Sequence, residues 1–176
     1  MIAFRRGHNF KSTGAKGYID EVTEAEKIKN ELKLLLSKYN IDHIDVSPSN
    51  MDSKSDLKYG VTNCNQHNAD LFLSIHFNAN KTTDKPVGCE IWTYNKKLDV
   101  CNNILTNLEE LGFKNRGIKH NPKFYELKYT KCKAMIIEVC FVDSKADVDN
   151  YINVGYKKVA QAILNGLIGK CPLCDK

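Results

Sequence analysis

Two histidines and two carboxylates stand out in this sequence because each falls where a polar group is costly. His76 closes the apolar run Leu71-Phe72-Leu73-Ser74-Ile75-His76-Phe77-Asn78, and Glu138 lies inside Met135-Ile136-Ile137-Glu138-Val139-Cys140-Phe141. A histidine in an apolar strand is ordinarily a hydrogen-bonded core residue. An unpaired buried carboxylate is harder to dismiss, because it costs several kcal/mol even after relaxation. Glu138 therefore needs either a cation such as Lys133 beside it or a chemical task. His8 follows a short β-type run, and Glu21 falls where the first amphipathic segment begins. Two histidines and one carboxylate suit catalytic zinc, which keeps a fourth position for water. Zinc lowers the pKa of such a water from about 15.7 to near 7, and a second carboxylate can take its proton. His8 and Glu21 are 13 positions apart and His76 is remote, so no compact pattern such as H-E-x-x-H is present.

The surrounding elements can bring these residues together. A strand over 1–5 ends just before Gly7 and His8, and residues 9–17 read as a loop. Ala25, Ile28, Leu32 and Leu35 recur at helical spacing over 20–38. Thr23 and Glu26 stand at capping-box separation, with Asp20 as the alternative cap one turn earlier. Alternation in the run to Asn78 puts Leu71, Leu73, Ile75 and Phe77 on one face, and Phe72, Ser74, His76 and Asn78 on the other. Further strands are expected over 43–47, 88–94 and 135–141, and helices around Leu57 to Cys64, over 98–111, from Asp143 or Ser144 to Tyr151, and from Tyr156 to Leu167. Residues 113–133 read as loop-rich, with a short strand at 124–127. The alternation implies an α/β fold: one domain over 1–169, with a mostly parallel or mixed central sheet of about six strands flanked by helices on both faces. Residues 170–176 read as tail or linker.

At 176 residues with 42% hydrophobic content, the chain can bury a core of its own. The net charge of +5 attracts polyanions, yet no dense Lys/Arg stripe marks a nucleic-acid binder. No apolar run is long enough to span a membrane, and the N-terminus lacks the pattern of a secretory signal, so synthesis in a cytoplasm is expected. Seven scattered cysteines favour buried thiols over a disulfide framework. Cys171 and Cys174 form a lone C-x-x-C, short of a structural zinc site.

Gly7-His8, Gly17 through Glu21, Ala69 through Ala79, Gly88-Cys89-Glu90-Ile91, Arg116-Gly117-Ile118-Lys119 and Ile136 through Phe141 occur in an order that resembles the zinc-dependent N-acetylmuramoyl-L-alanine amidases of the type-3 family. The resemblance covers nearly the whole chain to about Gly169, and the Ser74-Ile75-His76 and Ile137-Glu138 segments are its specific parts. It implies His8, Glu21 and His76 as zinc ligands, Glu138 as the catalytic carboxylate and a mixed α/β sheet. Glu24 and Glu26 compete with Glu21, and the spacing from Gly17 favours Glu21. Asn9-Phe10 stands where the family often has two glycines, which alters the loop beside the metal. The implied reaction is hydrolysis of the amide between the lactyl group of N-acetylmuramic acid and L-alanine in peptidoglycan, with Asn78 as a substrate contact. Anionic wall polymers join peptidoglycan as expected partners, and an endolysin or autolysin released to the wall is the expected setting, with a wall-binding domain conceivable beyond residue 176. Two other readings need testing: a Cys140–His76 cell-wall peptidase, and a non-catalytic wall-binding module on the same fold.

Overall fold

The two apolar runs become adjacent strands at the middle of one sheet. The computed structural model describes residues 1–95 and 98–169. Its strands are β1 (Ile2–Arg6), β2 (His43–Asp45), β3 (Leu71–Asn78), β4 (Cys89–Thr93), β5 (Asn115–His120) and β6 (Lys133–Phe141). They lie in the order β2-β1-β3-β6-β4-β5. The first four strands in that order run parallel, whereas β4 runs antiparallel to β6 and parallel to β5. Six helices accompany the sheet: α1 (Glu21–Lys38), α2 (Ser53–Gln66), α3 (Asp99–Glu110), α4 (Tyr125–Tyr129), α5 (Lys145–Val154) and α6 (Tyr156–Leu167).

Strand alternation divides the interior in two. Leu73, Ile75 and Phe77 of β3 join Met135, Ile137 and Val139 of β6 in the larger core, with apolar stripes from α1, α3 and α6. Phe72, Ala134 and Ile136 face the other way, into a smaller core with Cys64 of α2 and Leu127 of α4. His76 and Glu138 point to this second side and are directly paired across the β3–β6 ladder. The ladder shifts register between His76 and Asn78, just past that pair.

Two expectations are corrected. Residues 124–127, expected as a short strand, instead open α4, with Phe124 at its N-cap and its carbonyl accepting from Lys128 N at 2.9 Å, a bond between residues four apart that belongs to a helix. Arg116-Gly117-Ile118-Lys119, expected in loop, forms most of β5. Of the two possible caps for α1, Asp20 is the one used: its carboxylate accepts from the Thr23 amide at 3.1 Å. Ser144 caps α5 by accepting from Asp147 N at 3.2 Å.

Because β4 is antiparallel, it starts at the edge of the sheet where β3 ends. Residues 79–88 therefore cross over the end of β6 without a helix. That loop is tied down by Thr83 N donating to Asp143 O (3.0 Å), Lys145 N to Thr83 O (2.8 Å) and Gly88 N to Asp147 Oδ2 (2.8 Å). Cys64, Cys89, Cys101, Cys132 and Cys140 are unbonded thiols, and Cys171 and Cys174 lie outside the described residues. Among the described residues no helix is long and apolar enough to cross a membrane.

Leu73→Ala, in the fully buried centre of β3, is expected to lower unfolding free energy by about 2–5 kcal/mol in urea titrations. Leu34→Ala, at an exposed position of α1, should change it by less than about 0.5 kcal/mol.

Candidate functional site

The end of β1, the start of α1 and the end of β3 deliver one polar side chain each to the same point. β1 hands over to Gly7, whose amide donates to Ile75 O at 2.6 Å. His8 then turns out of the sheet in a left-handed conformation (φ 60). Asn9 secures this turn, its Oδ1 accepting from Lys11 N at 2.9 Å and from Met51 N at 3.3 Å. Glu21, first residue of α1, is buried. Its Oε1 accepts from Phe77 N at 3.1 Å and lies 3.0 Å from His76 Nδ1. Its Oε2 accepts from Ala15 N at 2.6 Å and lies 3.5 Å from His8 Nε2. One donor atom from each of His8, Glu21 and His76 falls within 4.8 Å of the others.

Two glycines make this approach possible. A Cβ on Gly7 would lie 2.2 Å from the His76 ring, and one on Gly14, itself at φ +73, would lie 2.3 Å from Glu21 Oε2. The backbone cradles the three side chains too closely for any other residue at those positions. Donor chemistry and spacing both fit a divalent cation, since two imidazole nitrogens and a carboxylate are the set that such ions take.

The charges point the same way. Burial would lower the pKa of His76, yet Glu126 and Glu21 beside its ring raise it to about 10. Without a cation, then, the protein holds a proton where a metal would sit, and ligation would have to displace it. Burial and the neighbouring His76 push His8 down, which favours its neutral, ligating form. Burial would raise Glu21, but its hydrogen bond to His76 and the charge there outweigh that and bring it below the usual range.

Glu138 differs from its neighbours. Its Oε2 is buried without a hydrogen-bond partner, and no ion pair to Lys133 forms among the described residues. Burial pushes its carboxyl up to about 7, with Glu21, Glu90 and Glu126 adding to the effect against His76. Directly opposite Glu138 on β4 sits Glu90, also buried but compensated. Its Oε2 accepts from Arg116 Nε at 2.8 Å and its Oε1 from Asn78 Nδ2 at 3.1 Å. The Arg116 guanidinium lies over the Phe141 ring, 5.1 Å from its centroid. Asn78 thus braces Glu90, while its Oδ1 accepts from Ala79 N at 2.8 Å.

Behind the histidines lies a second charged group. Fully buried Arg5 pairs with Asp56 Oδ1, and its Nη1 is 3.4 Å from Glu126 Oε1. Burial would raise Glu126, but Arg5 and His76 hold it down at about 2. Sequence reasoning missed Arg5, Glu90, Arg116 and Glu126. The signal was there for two of them, since Arg5 after Ala3-Phe4 and Glu90 before Ile91 are charges in apolar strands, as Glu138 is. Cys140 is buried in the apolar core with its thiol pushed well up by burial, so it is no nucleophile.

A cavity of about 420 Å³, lined by Lys16, Tyr18, Asn80, Thr82 and Asp143, opens at this same edge of the sheet. The family model described as N-acetylmuramoyl-L-alanine amidase matches residues 2–169. The chain belongs to that family. This amidase-family chain is 42% identical over 173 residues to an uncharacterized 38.4 kDa protein of Clostridium perfringens, covering 94% of the chain and 50% of that protein. It is 31% identical over 171 residues to N-acetylmuramoyl-L-alanine amidase LytC of Bacillus subtilis, covering 92% of the chain and 34% of LytC. The chain thus spans about half of the first of these relatives and about a third of the second. Among solved structures, the catalytic domain of the CD27L endolysin targeting Clostridia difficile superposes with a TM-score of 0.84 at 26% identity, over 96% of this chain and 97% of that one.

Gly7→Ala should force the His76 ring out of place. Divalent-cation affinity, measured by calorimetric titration, is expected to fall by about tenfold or more, with the fold retained by circular dichroism.

Proposed function

We propose that this domain hydrolyses the amide between the lactyl group of N-acetylmuramic acid and the L-alanine of the peptide stem, with zinc held by His8, Glu21 and His76. The observation that carries the reading is the convergence of those three donors beside an unpartnered carboxylate, Glu138, in a member of this family. When bound, zinc supplies a Lewis acid for the scissile carbonyl and acidifies the attacking water. Glu138 accepts the proton of that water and returns it to the leaving nitrogen. A carboxyl near 7 suits both halves of this task, being basic enough to take the proton and acidic enough to give it back. Glu90 is paired with Arg116, and its place opposite Glu138 adds to the effect of burial in raising the Glu138 carboxyl.

Asn78, held at the edge of the site, has a second amide hydrogen to offer the substrate. The net charge of +5 favours approach to anionic wall polymers. We read the setting as that of a lytic enzyme, an endolysin or autolysin, made in a cytoplasm and acting on the wall once released.

Glu138→Gln should keep its cation and lose turnover by about a hundredfold to ten-thousandfold. The measurement is release of new alanine amino termini from purified cell walls, and full activity in this variant would remove Glu138 from the reaction. Glu138 works as a base only when ionised, so kcat/KM should fall by about tenfold per pH unit on the acid side of its pKa, which a bound cation's charge draws below the value of about 7 that burial sets. Chelation should abolish release of amino termini and added zinc should restore it, with no reducing sugar ends appearing in either case.

A further inference from the structure

Glu126 has no part in the chemistry above, yet it is buried within reach of a ring that the chemistry uses. The two nitrogens of His76 face different partners. Nδ1 lies 3.0 Å from Glu21 Oε1, on the side of the three converging donors. Nε2 lies 2.9 Å from Ser74 Oγ and 3.7 Å from Glu126 Oε2. A hydroxyl can donate or accept, so Ser74 alone leaves open which nitrogen carries the ring proton. A carboxylate only accepts, and one faces each ring nitrogen, so once a cation takes Nδ1 the remaining ring proton is left on Nε2, on the side of Ser74 and Glu126.

We propose that Glu126 is the positioning residue of His76: it holds the ring proton on Nε2 and so turns the Nδ1 lone pair toward the cation site. Carboxylates behind metal-binding imidazoles fix both tautomer and ring orientation and raise ligand basicity. Arg5 is what lets a carboxylate stay there. It is fully buried, pairs with Asp56, and reaches Glu126 Oε1 while Oε2 faces the ring. The charge of Glu126 is thus compensated from behind, and its other oxygen is left to His76. Ser74 sits on the same strand face as His76, two residues before it, and is itself fully buried, so the group is closed to competing water. The inference rests on the reading of His8, Glu21 and His76 as a metal site.

The test is metal binding by the full chain, independent of turnover. The metal-free protein is titrated with Zn2+ against a chromophoric chelator, and with Co2+ while the visible absorption bands of the bound ion are recorded. Glu126→Gln, which keeps volume and loses charge, should weaken zinc affinity by about 10–100-fold at unchanged stoichiometry and alter the Co2+ bands. Glu126→Asp keeps the charge that Arg5 requires but draws the oxygens back from the ring. It should weaken affinity in the same direction, and serves if the Gln variant does not fold. Leu127→Ala loosens the same helix while keeping the carboxylate, and should retain wild-type affinity and Co2+ bands. Wild-type affinity in both Glu126 variants, or an equal loss in Leu127→Ala, overturns the proposal and leaves the metal site standing. If the wild-type chain takes up no stoichiometric Zn2+, or His76→Ala binds it as tightly, the metal reading itself has failed and the role of Glu126 falls with it.

Discussion

Four carboxylates meet behind one edge of the sheet, and the need to neutralise them governs everything near them. Glu21, Glu90 and Glu126 are buried, and Glu138 has a buried, unpartnered oxygen. The protein supplies two permanent cations, Arg116 for Glu90 and Arg5 for Glu126. No arginine or lysine pairs with Glu21 or Glu138 among the described ion pairs, only histidines with Glu21. Desolvated carboxylates without a counter-ion are among the most expensive groups a fold can keep. The uncompensated charge beside two imidazoles is therefore a demand for positive charge, met by a proton on His76 when nothing else is bound.

The sheet turns this demand into geometry. His76, Glu138 and Glu90 are partners across three neighbouring strands and so form a row on one face. Neighbouring strands lie about 4.8 Å apart, which sets the spacing of the row without help from loops. Within it only the middle carboxylate lacks a partner for one of its oxygens. One carboxylate is thereby raised toward neutrality by burial while its neighbour is paired with an arginine. Separation of proton affinities between adjacent groups is how a single pocket comes to hold both a base and a fixed charge.

Much of this was legible in the sequence because the informative residues are local anomalies. His76 and Glu138 interrupt apolar runs, and His8 and Glu21 sit where a strand ends and a helix begins, so topology alone sends them to one edge. The compensating residues are less legible: Arg5 and Glu90 show as charges in apolar strands, but their partners, and the roles of Arg116 and Glu126, follow only from the assembled sheet. β4 lies against β6 although β5 and α4 come between them in the chain, and no sequence pattern announces that. The five residues of α4 are too few to show a helical period in the sequence. In the helix the Tyr125 and Tyr129 rings, four residues apart, come within 4.6 Å of each other. The cap of α1 is ambiguous in the sequence for a related reason, as Asp20 and Thr23 both satisfy the rule and the first turn as folded selects Asp20.

The antiparallel course of β4 has an architectural consequence. A parallel strand would have required the chain to travel back along the sheet before pairing, whereas here residues 79–88 pass straight over the end of β6 and stay beside the reacting groups. This crossing lies outside the sheet's hydrogen-bond ladder and is anchored by the segment from Asp143 to Asp147 at the end of β6 and the start of α5. Its tip can be lengthened or recoloured chemically while the row of charged groups beneath stays put. The fold separates a conserved-by-physics floor from an interchangeable wall, an arrangement under which one reaction could be redirected to different polymers by altering a single stretch of chain.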